Sequence, residues 1–249
     1  MNHDLALEWF DRWERQQEHY AVARTDRFEV VCDVLAAAPA PPAVVIDVGC
    51  GPGSLAAVVS HAFPGTTVIG IDIDPFLLAL GAAVHPDIDF RQADLGTPGW
   101  ADDLRDLGVG AVVTSTALHY PSVPVVAAIY RECALLLRPG GVVVNADHLF
   151  ADSPGLQEIA TEVGERAADR RDVRGQETWH QWWGAVADEP EFADLLSHRA
   201  RDVPVHGGDN ELTADQHREI MLASGFAEAG TVWQMGISSV LVGIAPSTE

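Results

Sequence analysis

Apolar residues at Leu5, Trp9, Trp13, Tyr20, Phe28, Val31 and Leu35 recur at three- and four-residue steps and their multiples, with charged residues between them. That spacing keeps one helix face apolar and predicts two amphipathic helices between Leu5 and about Ala38. The stretch "PAPP", Pro39 to Pro42, stops the second helix and serves as a short stiff linker. From Val44 the pattern changes to short apolar runs alternating with helical stretches. Val44–Val48, Thr67–Ile71, Asp89–Gln92, Gly110–Thr114 and Gly141–Asn145 read as strands, and Leu55–Ala62 and Pro75–Val84 as helices. "VPVVAAIYRECALLLRPGG" reads as a further helix ended by Pro139 and Gly140. Repeated strand–helix units with continuously apolar strands predict a parallel sheet covered on both faces.

Beyond Phe150 the rhythm breaks. Gly155 to about Arg201 predicts two or three helices containing the cluster "TWHQWW"; "LTADQHREIMLASGF" predicts a last helix, followed by "EAGTVWQMG" and "SSVLVGIAP" as a terminal strand pair. The expectation is one α/β domain over residues 1–249. Its parts are an N-terminal helical segment (1–38), a ligand-binding core (43–150), a helical insertion (151–210) and a final helix with a strand pair (211–249).

Charge narrows the partners. Thirty-seven acidic residues face fifteen cations, every one of them Arg, for a net charge of −22. Nucleic acids and anionic membranes are bound by clustered Lys and Arg, so this balance argues against both. With no Lys, Schiff-base chemistry is excluded. Three scattered cysteines, Cys32, Cys50 and Cys133, form neither a disulfide framework nor a CxxC pair and fit a reducing compartment. The first twenty residues carry acids and aromatics where a signal peptide needs a cationic start, and no run approaches a membrane span. The expected location is the cytoplasm, and a homodimer is compatible with the sequence.

The candidate chemistry centres on "VIDVGCGPG". Gly49, Gly51 and Gly53 follow a strand and precede a helix, so a ligand can lie against bare main chain beneath a helix N-terminus. The glycines step by two behind an acid, Asp47, and Pro52 lies inside the loop, which disfavours the dinucleotide fingerprint. The arrangement resembles the first motif of the class I S-adenosylmethionine-dependent methyltransferases, acid-x-G-x-G-x-G. The resemblance runs in order from Val44 to Asn145, through "VIGIDIDP", "FRQADL" and "LLLRPGGVVVNAD", and more loosely through the last helix and strand pair.

The resemblance implies a Rossmann-like, mostly parallel seven-stranded sheet with an antiparallel terminal strand, helices on both faces and an N-terminal helical lid. It implies S-adenosylmethionine as cofactor, with Asp47, Gly49, Cys50, Gly51 and Gly53 beside its methionine and ribose. Asp72, with its neighbour Ile73, would meet the ribose hydroxyls, and Asp94 the adenine amino group, flanked by Ala93 and Leu95. A surface turn is the other reading of Asp94. Asp74, before Pro75, reads as a helix cap. Ser115 falls at the carboxyl edge of the sheet, where ligands of open α/β folds bind. Tyr20 and Arg24 would touch the methionine end from the lid.

The acceptor side is less defined. His119 and His148, after the fourth and fifth strands, are the candidate catalytic bases. His119 also reads as a pocket-shaping or helix-capping residue, and His148 as a loop histidine. His180 and His206 lie in the variable region, His180 within an aromatic cluster that reads as packing. Neither "HGGDN" nor "DEPE" shows metal-ligand spacing, so no metal site is expected. "STAL" replaces the DPPY-like tetrapeptide of many nucleic-acid amino-methylating relatives. The implied activity is methyl transfer to an oxygen or nitrogen of a small molecule in specialised metabolism. The alternatives are a non-methylating cyclisation, elimination or decarboxylation on the same fold, and a noncatalytic role holding the same cofactor.

Overall fold

The computed structural model describes residues 1–21, 23–38, 42–173, 175–203 and 209–247. Seven strands form one sheet: β1 (Val44–Val48), β2 (Thr67–Asp72), β3 (Asp89–Gln92), β4 (Val109–Ser115), β5 (Leu137–His148), β6 (Glu228–Met235) and β7 (Ser238–Ile244). Their order is β3-β2-β1-β4-β5-β7-β6, with β7 alone antiparallel to its neighbours. The order reverses between β1 and β4, so their carboxyl ends open the crevice in which ligands of such sheets bind. The buried strands β1 and β4 are β-branched and apolar because helices cover both of their faces.

The first two helices do different jobs. Helix α2 (Arg24–Ala37) lays Phe28, Val31 and Leu35 into a core with Val45, Val113, Val144 and Val242, so it is a layer on the sheet. Helix α1 (His3–Tyr20) instead packs Trp9 and Trp13 against Phe76, Leu77 and Leu80 of α4 (Pro75–Val84) and Trp182 of α7 (Trp179–Asp188). Of the two helices expected as a lid, α2 is a layer on the sheet and α1 packs over α4 and α7. Sequence periodicity shows that a helix has an apolar face but not which partner covers it.

"TWHQWW" is packing, as its spacing suggested. Trp182 is fully buried between Trp9 and Trp13, with ring centroids 5.9 and 5.0 Å away, and Phe192 joins the cluster. His180 lies exposed on its rim against Trp179. His206 and Pro39 to Pro41 fall outside the described residues.

The remaining helices are α3 (Ser54–Ala62), α5 (Val123–Leu136), α6 (Pro154–Arg171), α8 (Ala193–Asp202) and α9 (Ala214–Ala223). Helix α5 stops at Leu136, before the expected Pro139–Gly140. Leu137 already pairs with Val109 across a bulge, so the Pro–Gly step lies within an irregular strand start that tolerates it. A 3₁₀ turn at Asp102–Leu107, absent from the sequence reading, leads into β4.

Candidate active site

The glycine loop joins β1 to α3 with three positive φ angles, +69° at Gly49, +54° at Gly51 and +87° at Gly53. Bare backbone serves protein packing as well as ligand approach. A Cβ on Gly49 would lie 2.4 Å from Ala117 Cβ, and one on Gly53 would lie 2.5 Å from the Phe90 ring. Gly51 keeps the open face, with Trp13 the nearest atom at 3.6 Å. The Gly51 N–H donates to Asp72 Oδ2 at 2.7 Å, and the Asp74 N–H to Asp72 Oδ1 at 2.9 Å. Crowding by buried neighbours pushes the Asp72 carboxyl up to about 6 despite these bonds. Beneath the loop, buried Asp47 accepts the Ala56 N–H at 3.0 Å; burial pushes it up to about 8, so it is protonated at neutral pH. Cys50 contributes main chain to the turn, its thiol buried and held well above the usual range by burial.

Asp74 accepts N–H bonds from Phe76 and Leu77, the cap expected of it, while Arg199 donates to its other oxygen at 2.6 Å. Asp94 is exposed and accepts from the Gly96 N–H at 2.8 Å and from the Thr97 hydroxyl. It therefore builds a surface turn, and its side chain stands beside half-buried Ala93 and Leu95 at the end of β3. Ile73 is half-buried beside Asp72, and its carbonyl accepts from Gln92.

Helix α1 closes over the loop. Glu14 accepts both terminal guanidinium nitrogens of Arg24, at 2.5 and 3.3 Å, and the Ser54 hydroxyl at the start of α3. Arg24 also lies over the Phe28 ring. Tyr20 is partly exposed; its hydroxyl accepts the Trp179 N–H at 3.0 Å, and its backbone bonds the His148 ring.

At the carboxyl edge of β4 the chain turns sharply. Thr116, a β-branched residue at φ +53°, follows half-buried Ser115, and such strain in a cleft is characteristic of functional sites. His119 Nδ1 lies 2.7 Å from Asp147 Oδ1, and the His148 N–H donates to the same oxygen at 2.8 Å. Asn210 pins the His119 loop by donating its side-chain amide to the Leu118 and Pro121 carbonyls. Burial works against the His119 imidazolium, but the Asp147 carboxylate outweighs it and raises the pKa above the ordinary value. Burial likewise works against the Asp147 carboxylate, yet His119 above all holds it at about 2. His148, the last residue of β5, is driven down to about 4 by burial and by Arg27.

His119, Asp147 and His148 offer ligand atoms within 4.8 Å of one another, a grouping invisible in their sequence spacing. The buried Arg27 guanidinium acts on all three, so a divalent cation would enter against a fixed positive charge. Arg27, Gln16, Thr116, Asp147 and Asn210 were not among the sequence candidates. Two signals were available: Arg27 sits in the apolar stripe of its helix, and Asp147 is an acid within the strand that continues the apolar run Val142–Val144.

A methyltransferase domain model matches residues 45–141. The trans-aconitate 2-methyltransferase of Methylobacterium radiotolerans is 30% identical over 75% of this chain and 68% of its own length. That of Azoarcus sp. is 30% identical over 77% and 70%. Human N-acetylserotonin methyltransferase, solved with S-adenosylmethionine, superposes with a TM-score of 0.55 at 15% identity, over 95% of this chain and 57% of the human one. The chain belongs to the class I S-adenosylmethionine-dependent methyltransferase family. The loop suits that cofactor: the open face at Gly51 adjoins the part-exposed Asp72 carboxylate at the end of the neighbouring strand.

Proposed function

We propose that the protein transfers the methyl group of S-adenosylmethionine to an oxygen of a small molecule seated over the carboxyl ends of β4 and β5. The His119–Asp147 pair carries this reading, because it places an imidazole steered by a buried carboxylate at the crevice beside the glycine loop. The relatives named trans-aconitate 2-methyltransferases support a small, oxygen-bearing acceptor. The net charge of −22 supports a substrate other than nucleic acid, and a cytoplasmic setting fits the free cysteines.

When bound, the cofactor supplies an electrophilic methyl on a sulfonium. In this reading Asp72, beside Ile73, accepts the ribose hydroxyls, while Gly49, Gly51 and Gly53 carry the methionine and ribose on a loop held by Asp47 and Cys50. Asp94, Ala93 and Leu95 form the adenine end, and Ser115 lines the crevice. Arg24 and Tyr20 close the methionine end under α1, which excludes water from an in-line displacement. His119 contacts the accepting oxygen and takes its proton where it carries one; Asp147 orients the ring and stabilises the imidazolium. His148, uncharged at neutral pH, completes the wall.

The test is an assay with methyl-labelled S-adenosylmethionine against trans-aconitate, hydroxylated aromatics and small amines. Labelled O-methyl product with equimolar S-adenosylhomocysteine supports the reading, and His119→Ala then lowers kcat about a hundredfold at unchanged cofactor affinity. N-methyl product overturns the oxygen assignment, and product formed without S-adenosylhomocysteine points to the non-methylating alternative.

A further inference from the structure

The parallel ladder between β4 and β5 stops short of the His119–Asp147 pair. Its last pairing is Ser115 with Ala146, followed by the Thr116 N–H on the Ala146 carbonyl at 3.1 Å. Asp147 comes directly after Ala146, but His119 stands three residues beyond Thr116, in the loop that leads to α5. The separation of the two side chains therefore depends on what holds that loop against the end of β5. Within the loop the Tyr120 N–H reaches the Ala117 carbonyl at 3.4 Å. Three shorter bonds come from Asn210, far along the chain.

The Asn210 side-chain amide donates to the Leu118 carbonyl at 2.7 Å and to the Pro121 carbonyl at 2.9 Å, bracketing His119. Its backbone N–H donates to the His119 carbonyl itself, at 2.9 Å. Its Oδ1 accepts the Leu212 N–H at 3.1 Å, which fixes the orientation of the amide. The Leu212 carbonyl in turn accepts the Phe150 N–H at 3.2 Å, three residues past Asp147. Residues 210–212 thus tie the His119 loop at one end and the strand that carries Asp147 at the other. Between the two ties Glu211 holds φ +56°, with its N–H on the Asp209 carboxylate at 2.9 Å. A side chain in the left-handed region is costly and persists where its surroundings over-determine it, as the bonds on either side do here.

We infer that Asn210 is a positioning residue of the methyl-transfer site, which sets the His119 ring at its distance from Asp147 by tying the loop after β4 to the end of β5. The inference rests on the reading of the His119–Asp147 pair as the group that meets the acceptor. Without the amide, the Leu118 and Pro121 carbonyls lose their donor and the loop is free to carry the ring away from the carboxylate. A displacement of about 1 Å in such a group can cost about a hundredfold in rate.

The experiment compares wild type, Asn210→Ala and Asn210→Leu as full-length proteins, the leucine keeping the volume without the hydrogen bonds. In histidine NMR titration of the free protein, both variants bring His119 down toward its ordinary pKa. With whichever acceptor the wild type methylates, kcat falls between about tenfold and a hundredfold, while KM for S-adenosylmethionine stays within about twofold, which also reports that the variants fold. Thr213→Ala is the control for a merely structural loss. It removes the hydroxyl that caps α9 by accepting the Gln216 N–H, so it lowers the urea midpoint and leaves the His119 titration in place. Hydrogen exchange of the wild type needs no variant, and the Asn210 and Phe150 amides are expected to exchange at least about a hundredfold more slowly than unprotected ones. The proposal is overturned if His119 titrates alike in wild type and both Asn210 variants, if Thr213→Ala moves it as far, or if both amides exchange freely. A displaced His119 titration with kcat unchanged would sink the reading of His119 as the group at the acceptor and leave the tie standing.

Discussion

The Ala117 methyl occupies the space where a side chain on Gly49 would begin, 2.4 Å from the position of a Cβ there. One strand's glycine thus receives the turn that follows β4, and the two halves of the crevice interlock at the point where the strand order reverses. Gly49→Ala meets both this contact and the strain of φ +69°, and a loss of about 1–3 kcal/mol in urea unfolding is expected. Ala117→Gly in the same chain recovers the contact but not the strain. A double-mutant cycle with coupling under about 0.5 kcal/mol would show that the interlock carries no energy.

That contact also marks where sequence reasoning stops. The cofactor side lies in contiguous stretches, "VIDVGCGPG", "GIDIDP" and "FRQADL", each set at a strand end by local pattern. The strands β1 and β3 follow from it to the residue, as does the Asp74 cap. The edge of β4 and β5 is assembled from segments far apart in the chain, so His119, Asp147 and Arg27 come within electrostatic reach of one another only through packing. The unpartnered guanidinium of Arg27 is likewise a product of packing among the described residues, which no spacing records.

The Asp72 carboxyl, raised to about 6, gives cofactor binding a pH signature. The ionised form accepts hydroxyl donors on both oxygens, so affinity for S-adenosylmethionine should tighten as pH rises through about 6 and level off above it. Asp72→Asn removes that dependence and weakens binding by about tenfold or more at pH 7.5. Calorimetry at pH 5, 6 and 7.5 checks it; an unchanged affinity for the variant removes Asp72 from the ribose.

The His119–Asp147 pair should be visible in the free protein. Histidine NMR titration is expected to place His119 above its ordinary value and His148 near 4, and Asp147→Asn should bring His119 down. The stability signs are opposite. Asp147 is depressed to about 2, so its contribution is present above the unfolded carboxylate pKa and is lost as pH falls through about 2. His119 is raised, so its contribution is present below the unfolded histidine pKa and fades as pH climbs through the folded one. Asp147→Asn also removes the carboxylate whose field acts on buried Arg27, so a loss of stability in urea unfolding is expected. Two histidines titrating together near their ordinary pKa would mean that the pair does not form in solution.

Trp182 offers the sharpest test of whether the N-terminal helix is part of the site. It is fully buried where α1, α4 and α7 meet, with Trp13 against it on one side and, through Trp13, the open face of Gly51 on the other. Trp182→Ala removes the most completely buried tryptophan of that cluster, and a cost of about 3–5 kcal/mol is expected where the cavity cannot collapse. Trp179, 38% exposed on the rim of the same helix, should cost less than about 1 kcal/mol when changed to Ala. Because this cluster is the apolar part of the α1 anchorage, beside the Glu14 clamp, the loss should fall on α1 first. Hydrogen exchange of residues 3–20 should then rise to the level of local opening while β1 and β4 stay protected, and cofactor affinity should fall with it. Global unfolding in a single step, with α1 and the sheet exchanging together, would show instead that the helix is an integral layer of the domain and that no separate lid exists.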